Sequence, residues 1–204
     1  VDGLVGSEMC IRDSNKLAKK LITLFGLPIA APSANLSERT SVTNIMDIDP
    51  ILVKKIFVLK DKQSSHGLES TVVRIDTNNE IEVLRYGSIT VEELNKYAKV
   101  KIKKKSSISP GNLKKHYSTL KPIRMNAKRI LKNEGLLNFG NNKLKSKIIN
   151  LNLSNKKNLN EAAKNFYHYL HKLDQSRCKK IAVVEIPDKG LGKTINDRLR
   201  RAIK

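Results

Sequence analysis

The segment from Lys99 to Asn133 carries twelve lysines or arginines and no acidic residue. This imbalance constrains the chain more than any other feature. Like charges at that density repel one another, and the run "KKKSSISPGNLKKHYSTLKP" has the Ser, Pro and Gly content of a connector. One hydrophobic core is not expected to pass through it. The chain therefore divides into a folded part over 15–98, a basic linker over 99–122 and a second folded part over 123–204. With 39% hydrophobic residues in 204, each part has apolar material for a core. Trp is absent and aromatic residues make up 4%, so Ile, Leu, Val and Ala must do the filling.

The net charge of +21 suits a polyanionic partner such as RNA, a nucleotide or an anionic membrane surface, and equally a lysine-rich surface that keeps the protein soluble. Cys10 and Cys178 stand in no metal-ligand spacing and no C-x-x-C, which argues against a disulfide framework. A reducing cytoplasmic location is expected. No apolar run approaches the roughly 20 residues that span a bilayer, so no membrane partner is expected. The opening "VDGLVGSEMCIRDS" resembles a peptide that recurs when sequencing-adapter DNA is translated, and residues 1–14 are set aside as non-native.

From Asn15, Leu17, Leu21 and Leu24 with Ile22 and Phe25 form one apolar helical face, capped by Ser14 or Asn15 and stopped by Gly26 and Pro28. "LPIAAP" reads as a short buried strand, Thr43 as the cap of a short helix, and "KKIFVLKD" as another strand. "STVVRID" and "IEVLRYG" alternate around a polar turn and predict a hairpin. Ile81, Val83 and Arg85 then share a face. "SITVEELNKYA" contains a capping box, Thr90 with Glu93.

Beyond the linker, "PIRMNA", "GLLNFG" and "KIINLNL" predict short strands. "NEAAKNFYHYLHKLD" is an amphipathic helix with Ala163, Phe166, Tyr167, Leu170 and Leu173 on one side. "KKIAVVEIP" predicts a buried strand and "GKTINDRLRRAIK" a last helix, the alternation of a small α/β domain.

Several motifs have both a chemical and a purely structural reading. "GLGKT" looks like the end of a phosphate-binding P-loop, but Pro187 stands where that motif needs glycine, which favours a strand-to-helix turn. His168 and His171 are one helical turn apart, yet no third ligand is spaced to join them on a metal. The basic linker suits a phosphate backbone, with Tyr117 available to stack on a base. "APSANLSERTS" gathers hydroxyls that suit a phosphate or carboxylate, or simply a serine-rich turn.

Four pieces, in order, are "GLPIAAPSANLSERTSVT", "GLESTVVRI" leading to "VLRYG" and "IT", "SPGNLKKHY" and "GLGKTINDRLRRA". Together they resemble the threonylcarbamoyl-AMP synthase family in its two-domain form. The resemblance covers nearly all of residues 15–204. It implies an α/β fold: the C-terminal half of a YrdC-like domain with a twisted mixed sheet, the basic linker, then a small Rossmann-like α/β domain.

The resemblance implies that L-threonine, bicarbonate and ATP condense to threonylcarbamoyl-AMP and pyrophosphate, with Mg2+ accompanying ATP. The product would pass to a tRNA-modifying transferase. It further implies that Ala31 and Ser70 hold threonine, that Ser33, Ser41, Arg85 and Tyr117 contact ATP, and that Asn35 and Thr71 support them. No residue is expected to act as a covalent catalyst.

Two departures stand out: "SERTSVT" replaces the family's S-G-x-P-S-P-T, and "LRYG" replaces L-R-P-G. The family's early Thr, its Lys and Arg pair and a further His would precede Asn15, so the chain alone is expected to be an inactive fragment. Two other readings remain, a basic RNA-binding module that makes direct RNA contact through the linker, and a non-catalytic nucleotide-binding relative.

Overall fold

The computed structural model describes residues 15–29, 33–59, 64, 66–102 and 117–203. The chain forms two compact units, Val1–Ser33 and Ala34–Lys204.

In the first unit, helix α1 spans Lys16–Phe25. The side chain of Asn15 accepts the Ala18 amide at 2.8 Å, which identifies Asn15 as the cap. Gly26 ends the helix in the left-handed conformation (φ 70°), its amide donating to the Ile22 carbonyl at 3.1 Å. The apolar face forms as expected but is open, with Leu24 76% exposed. Leu27 to Ile29 form no strand, contrary to expectation. An extended apolar run becomes a strand only where a partner takes its backbone hydrogen bonds. Ala30 to Pro32, the rest of that expected strand, lie outside the described residues.

The second unit begins with short capped turns. Asn44, one residue after the expected Thr43, caps a 3-10 turn over Ile45–Asp47, and Asp49 caps α2, Pro50–Val53. Residues 54–59 are not the expected strand. Their first amides continue the turn of α2, Lys55 and Ile56 both donating to the Leu52 carbonyl, and Phe57 is 88% exposed.

The hairpin is present. Strand β1, Val72–Ile75, runs antiparallel to β2, Ile81–Arg85, pairing Val73 with Val83 and Ile75 with Ile81. Asp76 fixes the turn by accepting the Asn78 and Glu80 amides at 2.9 and 3.0 Å. Helix α3, Val91–Leu94, has the full capping box between Thr90 and Glu93. The chain then returns as β3, Val100–Ile102, parallel to β2. These three residues belong to the mixed sheet, although their lysine-rich setting placed them in the linker. Lys101 is balanced there by ion pairs to Glu80 and Asp76. Residues 103–116, most of the expected linker, lie outside the described residues.

The remaining strands, β4 (Ile123–Arg124), β5 (Glu134–Asn138), β6 (Asn150–Asn152) and β7 (Lys180–Val183), form a wholly parallel sheet in the order β4-β7-β5-β6. Helices α4, Leu159–Gln175, and α5, Leu191–Ala202, pack on each other, and α4 also packs on β5. Phe166, Leu170, Leu173, Ile195 and Leu199 of these helices meet Leu136, Leu137 and Ile181 of the sheet in one core. A mixed sheet followed by a parallel sheet under helices confirms the α/β class.

"GLGKT" is the turn into α5. A Cβ at Gly192 would stand 1.9 Å from the Pro187 carbonyl oxygen, so that glycine answers a close backbone approach. No described helix is long and apolar enough to cross a membrane.

Candidate functional site

The loop before β1 and the loop after β2 lie side by side. A Cβ at Gly87 would fall 2.3 Å from both the Ser70 carbonyl carbon and the Thr71 amide nitrogen, so only glycine permits this approach. The Ser88 amide donates to the Glu69 carbonyl at 2.8 Å. Thr71 binds Ile89 twice, its hydroxyl donating to the carbonyl at 2.6 Å and accepting the amide at 3.0 Å. From the end of β2, Arg85 sends Nη2 to the Ser70 carbonyl (3.0 Å) and hydroxyl (3.3 Å).

Glu69 joins this pair of loops to the rest of the unit. Its Oε1 accepts the Ser41 hydroxyl and, at 2.7 Å, the Tyr167 hydroxyl, while its Oε2 accepts Nε of Arg198 at 3.0 Å. Arg198, on α5, is 1% exposed. Its Nη2 donates to the Tyr86 carbonyl and its Nη1 to Asp197, each at 2.6 Å. The guanidinium lies 4.6 Å from the centre of the Tyr117 ring, which is itself 2% exposed and 6.1 Å from the ring of Tyr167. One helix turn from Arg198, Thr194 donates to the Gly87 carbonyl at 2.9 Å. Every polar atom of the buried guanidinium side chain thus has a partner, as burial of a charge requires.

The electrostatics follow from this arrangement. Burial pushes the Glu69 carboxyl up, but the Arg198 charge and the hydroxyls of Ser41 and Tyr167 outweigh it and hold the group below the usual carboxylate range. Burial, with Glu69 alongside, pushes the Tyr167 phenol well up and the Tyr117 phenol up. Both tyrosines therefore remain neutral at neutral pH, Tyr167 as a donor to Glu69.

Ser41 and Tyr117 accordingly meet the Glu69–Arg198 pair directly, while Ser70, Thr71 and Arg85 hold the adjoining β1 and β2 ends together. Asn35 serves its own loop, donating to the Leu36 and Arg39 carbonyls at 3.1 Å. Ser33 is exposed and belongs to the first unit, and Ala31 lies outside the described residues. The sequence reading missed Glu69, Tyr167 and Arg198. Glu69 sits inside the quoted "GLEST" and Arg198 inside "INDRLRRA", but 129 residues separate them and no spacing rule links the two.

The histidine pair on α4 has its own partners. His168 Nδ1 meets Asp47 at 2.8 Å, and His171 Nε2 meets the Ser41 carbonyl and the Thr40 hydroxyl at 3.1 Å. They fasten residues 40–47 to the helix. No group of three or more His, Cys, Asp or Glu is placed to hold a metal among the described residues.

A three-stranded mixed sheet tied by Arg198 and Glu69 to a parallel sheet under helices defines a mixed α/β protein. The family comparisons make the class specific. Residues 89–203 match the C-terminal domain of threonylcarbamoyl-AMP synthase, and residues 9–87 match the "Telomere recombination" domain shared by Sua5, YciO and YrdC. The chain belongs to the threonylcarbamoyl-AMP synthase family.

A curated relative, the threonylcarbamoyl-AMP synthase of Pyrococcus abyssi, is 26% identical over 217 residues, covering 93% of this chain and 62% of that protein. The crystal structure of P. abyssi Sua5 complexed with L-threonine superposes with a TM-score of 0.75 at 24% identity, over 93% of this chain and 62% of that one. A variant of the same protein with adjacent His and Tyr replaced by Ala gives a TM-score of 0.70 at 24% identity, over 93% and 59%. The chain thus spans about three fifths of the relatives it matches.

Proposed function

We propose that the protein of which this chain is a part is an L-threonylcarbamoyladenylate synthase. The amine of threonine adds to CO2 derived from bicarbonate, giving a carbamate. A carbamate oxygen then attacks the α-phosphorus of ATP, and pyrophosphate leaves with the electron pair of the broken P–O bond. Such a transfer depends on positioning and charge neutralisation rather than on a protein nucleophile.

The observation that carries this reading is that both parts of the chain match the family, with Arg85 bonded to Ser70 and Ser41 bonded to the neighbouring Glu69. Arg85 offers a charged fork to phosphate. Ser70 holds threonine, and Ser41, whose hydroxyl donates to Glu69, sits beside ATP, with Asn35 and Thr71 fixing the loops that carry them. Tyr117 ties the nucleotide wall to α5 through Arg198. The archaeal relative's complex with L-threonine supports threonine as a substrate.

Mg2+ would arrive with ATP. The carboxylates of this wall, Glu69 and Asp197, are bound to arginine and do not form a metal site. The product is an acyl-phosphate mixed anhydride, suited to consumption by a tRNA-modifying transferase.

The test is ATP binding to the 204-residue chain by calorimetry. Arg85→Ala is expected to weaken it by about tenfold or more, and Arg85→Lys to restore it only in part. Equal affinity in all three forms would overturn the assignment. Turnover is expected of the whole protein; the isolated chain, at three fifths of the relatives' length, should release no pyrophosphate from ATP, threonine and bicarbonate.

A further inference from the structure

The parallel sheet carries a second crevice, separate from the Glu69–Arg198 wall. It measures about 460 Å³ and lies beyond the carboxyl ends of β4, β7 and β5, where the chain continues as Asn126–Lys128, Val184–Pro187 and Phe139–Asn142. Open parallel α/β sheets bind ligands at that edge, and the volume falls within the range of small-molecule sites.

The lining has three chemically distinct parts. Phe139, Leu144 and Val184 supply an apolar shelf. Asn126 and Asn141 border it, and their side chains take no hydrogen bond from the described residues, whereas Asn142 is fixed by Asn138 and the Leu144 amide. Lys128 and Lys157 bring two ammonium groups that form no ion pair among the described residues.

Gly140 accounts for the second lysine. It is buried at φ 81°, and a Cβ there would meet Cε and Cγ of Lys157 at 2.7 and 2.8 Å. The stem of Lys157 therefore lies across bare glycine backbone at the crevice edge. Glu185 adds one carboxylate to the same rim.

An inorganic anion would use the lysines but leave the shelf wet and meet Glu185. A nucleoside phosphate would use all three parts, with its base on the shelf and amide edges, ribose hydroxyls donating to Glu185, and phosphate between Lys128 and Lys157. We infer that this crevice is a second ligand site, built for a nucleoside phosphate and distinct from the Arg85 wall.

Photolabelling of the 204-residue chain with 8-azido-AMP, followed by peptide mapping, tests this. Label is expected on peptides containing residues 126–128 or 139–144, and AMP should suppress it. The double variant K128A/K157A should reduce it by about tenfold, while K128R/K157R and R85A should retain it. The proposal is overturned if those peptides carry no label, if the double alanine variant labels as well as the parent, or if pyrophosphate suppresses labelling as effectively as AMP.

Discussion

Arg198 lies face-on to Tyr117, its guanidinium 4.6 Å from the ring centre, while its Nε holds Glu69 at 3.0 Å. One side chain on the last helix thus organises an aromatic residue and a carboxylate that come from separate stretches of the chain.

Replacing Arg198 by Ala should destabilise the second unit by about 3–5 kcal/mol, because Glu69 would remain buried without its counter-charge. Urea unfolding measures this. The double variant R198M/E69L should recover most of the loss, since removing both charges also removes their desolvation cost. If the single and double variants are equally unstable, the ion pair is not what couples these segments.

Acid should weaken the same contact. The folded-state value of Glu69 lies below 4.5, so its contribution is complete above pH 4.5 and is lost as pH falls through the lowered folded value. The stability gap between the parent and Glu69→Gln should therefore be constant near neutrality and close in acid. Denaturant midpoints measured from pH 7 to pH 3 would reveal the closure. A gap that widens in acid would contradict the assigned direction.

Gly87→Ala should cost about 1–3 kcal/mol, because the added methyl meets backbone at 2.3 Å rather than a movable side chain. It should also weaken ATP binding, as Ser70 and Arg85 lie on the two loops being forced apart. Thermal unfolding and calorimetry on one sample give both readouts.

If the basic segment contacts RNA, affinity for a short RNA should fall steeply and linearly on a log–log plot against salt. R85A should leave that slope unchanged while reducing ATP binding. A flat salt response would remove RNA as a partner of this segment.

Elements defined by local chemistry were legible in the sequence. The capping box at Thr90, the Asn15 cap and the alternation around Asp76 all appear where short-range rules put them. The described parts of two expected strands, 27–29 and 54–59, illustrate the opposite case, since an apolar run carries no information about whether a ladder partner exists. Strand β3 was hidden because its lysine reads as linker composition until Glu80 and Asp76 are seen beside it. At the site, Ser41, Ser70 and Arg85 came from the family resemblance. The Glu69–Arg198 contact was invisible, because a pairing over such a chain separation is made by the fold and leaves no periodicity.

The grip of α5 on the Tyr86–Gly87 loop falls on main-chain oxygens, through Arg198 and Thr194. A carbonyl is the same in every residue, so position 86 is anchored whatever side chain it bears. Replacing Tyr86 would therefore leave both of these hydrogen bonds available. That loop is held in place by a helix more than a hundred residues later in the chain.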